Sequence, residues 1–174
     1  SVLLIHPRER CLYFAAVRGT KADALAVAPY FGGEFGNPQN VDQTLQWTDD
    51  QLLTACQNEI RTVLAKTQGH AAHATRHNLR LLAYEGGQHL VGIYGAENNQ
   101  RLTDKFHRVN RAAKMGALYR QLLAGWTAAG GEMFAAFHSM GNFSKWGSWG
   151  LLEHGGQDAT KAPKYAAVRA MLGR

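Results

Sequence analysis

The sequence predicts an α/β fold with parallel strands, and three observations carry that expectation. Ala22–Phe31, Leu79–Tyr84 and Met133–Phe137 are short, nearly continuous apolar runs bounded by glycine, the pattern of strands covered on both faces. Segments with apolar residues at three- and four-residue steps lie between and after them. A long polar, glycine-rich and aromatic stretch separates each strand from the helix that follows.

Taken in order, Ala22–Phe31 (ADALAVAPYF) is the first strand. The first helix spans Asp50–Lys66, with Leu53, Cys56, Ile60, Val63 and Leu64 on its apolar face and Asp49 or Asp50 as its N-cap. Gly69–Asn78 either extends this helix or forms a loop. Leu79–Tyr84 (LRLLAY) is the second strand. The second helix spans Leu102–Trp126, from the series Leu102, Phe106, Val109, Ala113, Gly116, Tyr119, Leu123 and Trp126, and Gly130-Gly131 stops it. Met133–Phe137 (MFAAF) is the third strand, and Lys161–Leu172 the last helix. The connections Gly32–Thr48, Gly86–Gln100 and His138–Thr160 all follow strands. Loops of that length in a compact domain are usually functional, and parallel α/β folds place their sites at the carboxyl ends of strands.

Composition narrows the classes. Of 174 residues, 45% are hydrophobic and 18% charged, which forms a core rather than a disordered chain. No apolar run reaches the roughly 18–20 residues of a membrane-spanning helix. Cys11 and Cys56 alone exclude a disulfide scaffold and a four-thiolate zinc site. Nineteen Lys and Arg against thirteen Asp and Glu give a net charge of +6, which permits an anionic partner. The basic residues are scattered, however, with short clusters only at 108–114 and 161–169. Both clusters read as solvated helix faces, so neither a nucleic acid nor a membrane is expected as partner.

The sharpest chemical feature is Tyr84-Glu85-Gly86-Gly87-Gln88-His89. Glu85 is the first polar residue after an apolar strand, a rigid and partly desolvated position that suits a nucleophile or general acid. It equally suits a carboxylate that caps the next turn or pairs with an arginine. Gln88 and His89, in the same turn, are candidate substrate contacts. Tyr30 ends the preceding strand in the equivalent place and can donate to Glu85 or pack beneath the loop. His138 ends the third strand and can bind a hydroxyl or sit in the core. Trp146 and Trp149, in Lys145-Trp146-Gly147-Ser148-Trp149-Gly150, offer flat faces suited to stacking on sugar rings, or anchor the loop by burial. Of the two, Trp149 reads as inward-facing. Glu153 reads as a salt-bridge partner. His70, His73 and His77 have a helix-compatible spacing, but no carboxylate or Cys stands beside them, so they read as a solvated helix end and no metal site is expected. P-loop, GxGxxG, GxSxG and CxxC patterns are absent, and no cofactor is expected.

The blocks ADALAVAPYFGG, LLAYEGGQHL, MGALYRQLLAGW and FAAFHSMGNFSKWGSWGLLE resemble, in this order, the C-terminal half of (β/α)8-barrel proteins related to retaining glycoside hydrolases, among them bacterial cellulose-binding or cellulase-like proteins. The resemblance covers residues 21–172. It implies the C-terminal part of a TIM-type barrel, about strands six to eight with their helices, over 21–174, with a poorly matching segment at 1–20 in which Leu12–Val17 is part of strand five. It also implies Glu85 as the nucleophile, Tyr30 as its hydrogen-bond donor, and Trp146 or Trp149 as the floor of a sugar subsite. The family's acid/base glutamate has no counterpart here. The implied function is that of a glycoside hydrolase-like fragment acting on or binding an oligo- or polysaccharide, inactive alone, in a secreted or periplasmic location. A non-catalytic carbohydrate-binding module is the alternative, and a basic interaction domain binding an anionic partner is a second. Strand starts near 24, 80 and 133 put more than about fifty residues in each unit, against about 31 in a typical barrel, so the chain is expected to be part of a longer one. Its open sheet edges would favour self-association.

Overall fold

The computed structural model of the protein describes residues 2–4 and 22–173. In chain order the elements are β1 (Val2–Leu4), β2 (Ala24–Val27), β3 (Tyr30–Phe31), α1 (Val41–Gln46), α2 (Asp49–Arg76), β4 (Arg80–Ala83), β5 (Gly87–Gln88), α3 (Gln100–Arg111), α4 (Ala113–Ala128), β6 (Gly131–Phe134) and α5 (Pro163–Met171). Four strands form a parallel sheet in the order β1-β2-β4-β6, while β3 and β5 pair in a separate parallel sheet of two.

The α/β class with parallel strands therefore stands, but the barrel does not. Among the described residues the sheet is open, with β1 and β6 at its margins. A parallel barrel closes when about eight tilted strands bring the last beside the first, and four strands cannot. The strand expected at Leu12–Val17, and Cys11, lie outside the described residues.

Pro29 divides the first predicted strand. It has no N–H to offer a ladder, and the next N–H, that of Tyr30, turns back onto the Ala28 carbonyl at 3.0 Å. Thus β2 stays in the main sheet, fully buried, while Tyr30 and Phe31 pair instead with Gly87 and Gln88. The third strand begins two residues earlier than predicted, at Gly131.

The N-cap of α2 is Thr48, not Asp49 or Asp50. The Thr48 hydroxyl accepts the Gln51 N–H at 3.1 Å, and the Gln51 side chain accepts the Thr48 N–H at 2.7 Å, a reciprocal capping box. The two aspartates occupy the first turn, where they favour the helix dipole. The helix continues through the Gly69–Asn78 segment to Arg76. Asn78, at φ 53°, ends it with paired bonds from Asn78 N–H to Thr75 and from Leu79 N–H to Ala74. The predicted helix over Leu102–Trp126 is two helices, separated by Ala112 in extended conformation. The break lets α3 bury Leu102, Phe106 and Val109 while α4 follows a separate phase through Met115, Tyr119, Leu122 and Trp126.

The main core joins Phe31 and Leu90 to α2 (Leu52, Cys56, Ile60), α3 (Phe106) and α4 (Met115, Leu122). A second cluster packs Leu25, Val27, Leu81 and Ala83 of the sheet against Ala74 and Trp126. Burying a side chain of this size contributes roughly 1.5–3 kcal/mol. These clusters fix β2 and β4 against α2 and α4, and so fix where the loops after each strand emerge.

Candidate functional site

The segments leaving β2, β4 and β6 converge on one open cleft of about 930 Å³. Tyr30 comes from the first, Tyr84, Glu85 and His89 from the second, and Phe137 and Trp149 from the third. The opposite wall is the α2 stripe Glu59, Thr62, Val63 and Lys66, with Glu34 from the loop after β3.

Glu85 is half-buried at the end of β4. Tyr30 lies within its hydrogen-bonding reach, and the phenol is pushed well above its usual pKa, first by burial and then by the neighbouring Glu85 charge. His89 is half-buried, and burial lowers its imidazole pKa while a backbone contact and the Glu85 charge partly oppose this. The rings of Tyr30, His89 and Trp149 form an edge-to-face cluster, with centroids at 5.5 Å (Tyr30–His89), 5.1 Å (His89–Trp149) and 6.3 Å (Tyr30–Trp149). Phe137 extends it, 5.7 Å from Trp149.

Local sequence explains the placement. At Gly87, φ is 138°, and a Cβ would lie 2.6 Å from the Tyr119 hydroxyl, so the turn after Glu85 packs its backbone directly on the core. Trp149 folds back so that its Nε1 donates to the Trp146 carbonyl at 2.7 Å. Its indole passes over Gly147, where a Cβ would meet Nε1 at 2.1 Å, which is why glycine stands between the two tryptophans.

No protein-family model matches the chain, and neither curated proteins nor solved structures give a match.

Of the candidate catalytic and substrate-binding residues, Tyr30, Glu85, His89 and Trp149 meet in this cleft, and Gln88, His138 and Trp146 do not line it. Gln88 is fully buried. Its amide donates to the Ser148 carbonyl at 3.0 Å and accepts the Leu90 N–H at 2.8 Å, tying two loops together beneath the site. His138 packs edge-on against Phe137 with centroids 5.1 Å apart, and its backbone pairs with Trp149 and Leu151. Trp146 is 64% exposed, with the Lys145 ammonium 4.7 Å over its ring. Glu153 is the ion-pair partner the sequence implied. Arg111 donates to both its oxygens, at 2.7 and 2.5 Å, and holds its pKa below the usual range. The basic cluster around it is similarly engaged, Arg108 with Asp49 and Lys114 with Asp50. Among the described residues no three His, Cys, Asp or Glu side chains are grouped to hold a metal ion, and no helix is long and apolar enough to cross a membrane.

Sequence reading missed the α2 wall. Glu59 accepts a hydrogen bond from the Gly32 N–H. Its pKa is raised by burial and by the Glu34 charge, while Gly32 and Lys66 oppose the shift. The signal was available as a second stripe on α2: positions 59, 62, 63 and 66 follow the same three- and four-residue steps as the core face. Glu34 sits in Gly33-Glu34-Phe35-Gly36, and the Asn37 side chain donates to its carboxylate at 2.8 Å.

Proposed function

We propose that the cleft binds a segment of an oligo- or polysaccharide, with Glu85 occupying the nucleophile position of a glycosidase-like site that does not turn over by itself. The observation that supports this is the convergence of Glu85, Tyr30, His89 and Trp149 on one open cleft. Sugar rings present apolar C–H faces and a rim of hydroxyls. Aromatic rings supply flat apolar surface for the first, and a carboxylate with a neighbouring phenol and imidazole supplies hydrogen bonds for the second. Titration calorimetry with soluble hexasaccharides of glucose, xylose and mannose tests it. The wild-type chain binds at least one of them, and Trp149→Ala and Glu85→Gln each weaken binding by about tenfold or more, or ~1.4 kcal/mol. Failure of the wild-type chain to bind any of these glycans rejects the proposal.

A second reading, glycoside hydrolysis by this chain, is favoured by Glu59, a half-buried carboxyl of raised pKa in the same cleft. In double displacement, a Glu85 oxygen bonds to the anomeric carbon as the glycosidic C–O bond breaks, and a second carboxyl gives its proton to the leaving oxygen. Water, giving its proton back to that carboxyl, then releases the sugar. Retention of configuration requires the two carboxyls about 5–5.5 Å apart in the working complex. Release of nitrophenol from aryl glycosides, lost in both Glu85→Gln and Glu59→Gln, would establish hydrolysis. Binding without release leaves the first reading in place.

A further inference from the structure

We propose that Tyr94 is a sugar-stacking residue at the mouth of the cleft, held there by a turn whose backbone disfavours it. This rests on the glycan reading of the cleft given above. Tyr94 and Gly95 are the central residues of a turn closed by the Ala96 N–H donating to the Ile93 carbonyl at 3.1 Å. Their φ values are 54° and 98°, the positive pair of a type I′ turn. Glycine, asparagine and aspartate take the first of these positions readily, whereas a bulky aromatic side chain there is strained. Nothing in the fold compensates through burial, because Tyr94 is 81% exposed.

The turn is nevertheless firmly held. The Ile93 N–H donates to the Gly36 carbonyl at 3.1 Å, and the Gly95 N–H donates to the Glu97 carboxylate at 2.8 Å. Gly92 packs its backbone so closely on Ala96 and Glu97 that a Cβ would lie 2.5 Å from their backbone atoms. A rigid turn therefore presents an exposed phenol ring on the rim of the cavity that holds Glu85 and Trp149. Strain maintained by surrounding structure, at a side chain that contributes no packing, is a mark of function. The ligand class that uses a second aromatic platform in the same cleft as Trp149 is a chain of several sugar units rather than a monosaccharide.

Three variants test this by calorimetry with the same hexasaccharides and by thermal unfolding. Tyr94→Asn relieves the strain, so its Tm rises by about 2–4 °C, while affinity for the bound hexasaccharide falls about tenfold and affinity for the monosaccharide is unchanged. Tyr94→Phe keeps the wild-type Tm and a hexasaccharide affinity within about twofold of the wild type. Trp149→Ala reports on the cleft itself. If Trp149→Ala loses the hexasaccharide but Tyr94→Asn binds like the wild type, the Tyr94 assignment fails and the glycan reading survives. A fall in the Tm of Tyr94→Asn also overturns the assignment, since Tyr94 would then be a stabilising residue. A wild-type chain that binds no glycan overturns both.

Discussion

The backbone N–H of Gly32 donates to the Glu59 carboxylate, joining the loop after β3 to the middle of α2 across 27 residues. The bond ties together the two elements that form one wall of the cleft and fixes the orientation of a carboxyl that the sequence did not single out.

The first prediction concerns that carboxyl. Burial raises the Glu59 pKa. An acid whose native pKa lies above its unfolded value binds more protons when folded. Its favourable contribution is complete below the unfolded pKa and is lost as pH rises through the native one. At pH 7 the half-buried charge therefore opposes folding. Glu59→Gln retains an oxygen for Gly32 without the charge, so its Tm should exceed the wild type at pH 7 and the difference should vanish toward pH 4. Glu59→Ala, which leaves the Gly32 N–H without this acceptor, should melt lower at both. Thermal melts at the two pH values decide, and a Gln variant less stable than wild type at pH 7 contradicts the assignment.

Gly36 is where the loops after β3 and β5 touch. A Cβ there would lie 1.7 Å from the Val91 carbonyl oxygen. Backbone atoms cannot rotate away as a side chain can, so Gly36→Ala should destabilise by about 2–4 kcal/mol. Urea unfolding measures this, and a loss below about 0.5 kcal/mol would show that the loops separate without penalty.

Tyr119 supports the turn after Glu85 from below. Its fully buried hydroxyl accepts the Gln88 N–H at 3.2 Å, and burial pushes its pKa up to about 12. Tyr119→Phe leaves that buried N–H without its acceptor, a loss of roughly 1–3 kcal/mol. Amide exchange at Gln88 should accelerate in parallel. Unchanged exchange would mean that the ring alone holds the turn.

Lys164, at the start of α5, is buried with its ammonium donating to the Ser148 carbonyl and lying 4.7 Å over the Phe143 ring. Burial lowers its pKa to about 7, with the Arg111 charge also lowering it and Glu153 opposing. A base depressed in the native state binds fewer protons there than when unfolded, so stability rises with pH between about 7 and the ordinary lysine value. The Ser148 carbonyl keeps the Gln88 amide as a donor when Lys164 is replaced. The stability of wild type relative to Lys164→Met should therefore increase from pH 7 to pH 10 in urea titrations. A flat difference would place the lysine charge in contact with solvent.

Much of the site was legible in the chain. An acid directly after an apolar run, Glu85, lies in the cleft because the core anchors β4 and the carboxylate is the first charged group beyond it. Tyr30, just beyond β2, follows the same logic, whereas Trp149 reaches the cleft from within the long loop after β6. The reading did not extend to Gln88. Its amide satisfies buried loop backbone, which its sequence position beside His89 does not reveal.

Local pattern by itself determined the α/β class, the parallel strands and the three long loops at their carboxyl ends. Apolar periodicity reports burial within a segment, and glycines and caps report where a segment stops. Only the tertiary structure decided that the sheet is open among the described residues, that Pro29 sends Tyr30 into a second small sheet, and that Glu59 and Tyr94 complete the cleft. Those outcomes depend on contacts between residues far apart in sequence, such as Gly32 with Glu59 and Ile93 with Gly36. Such contacts are settled by how helices and strands pack together, which no single segment encodes.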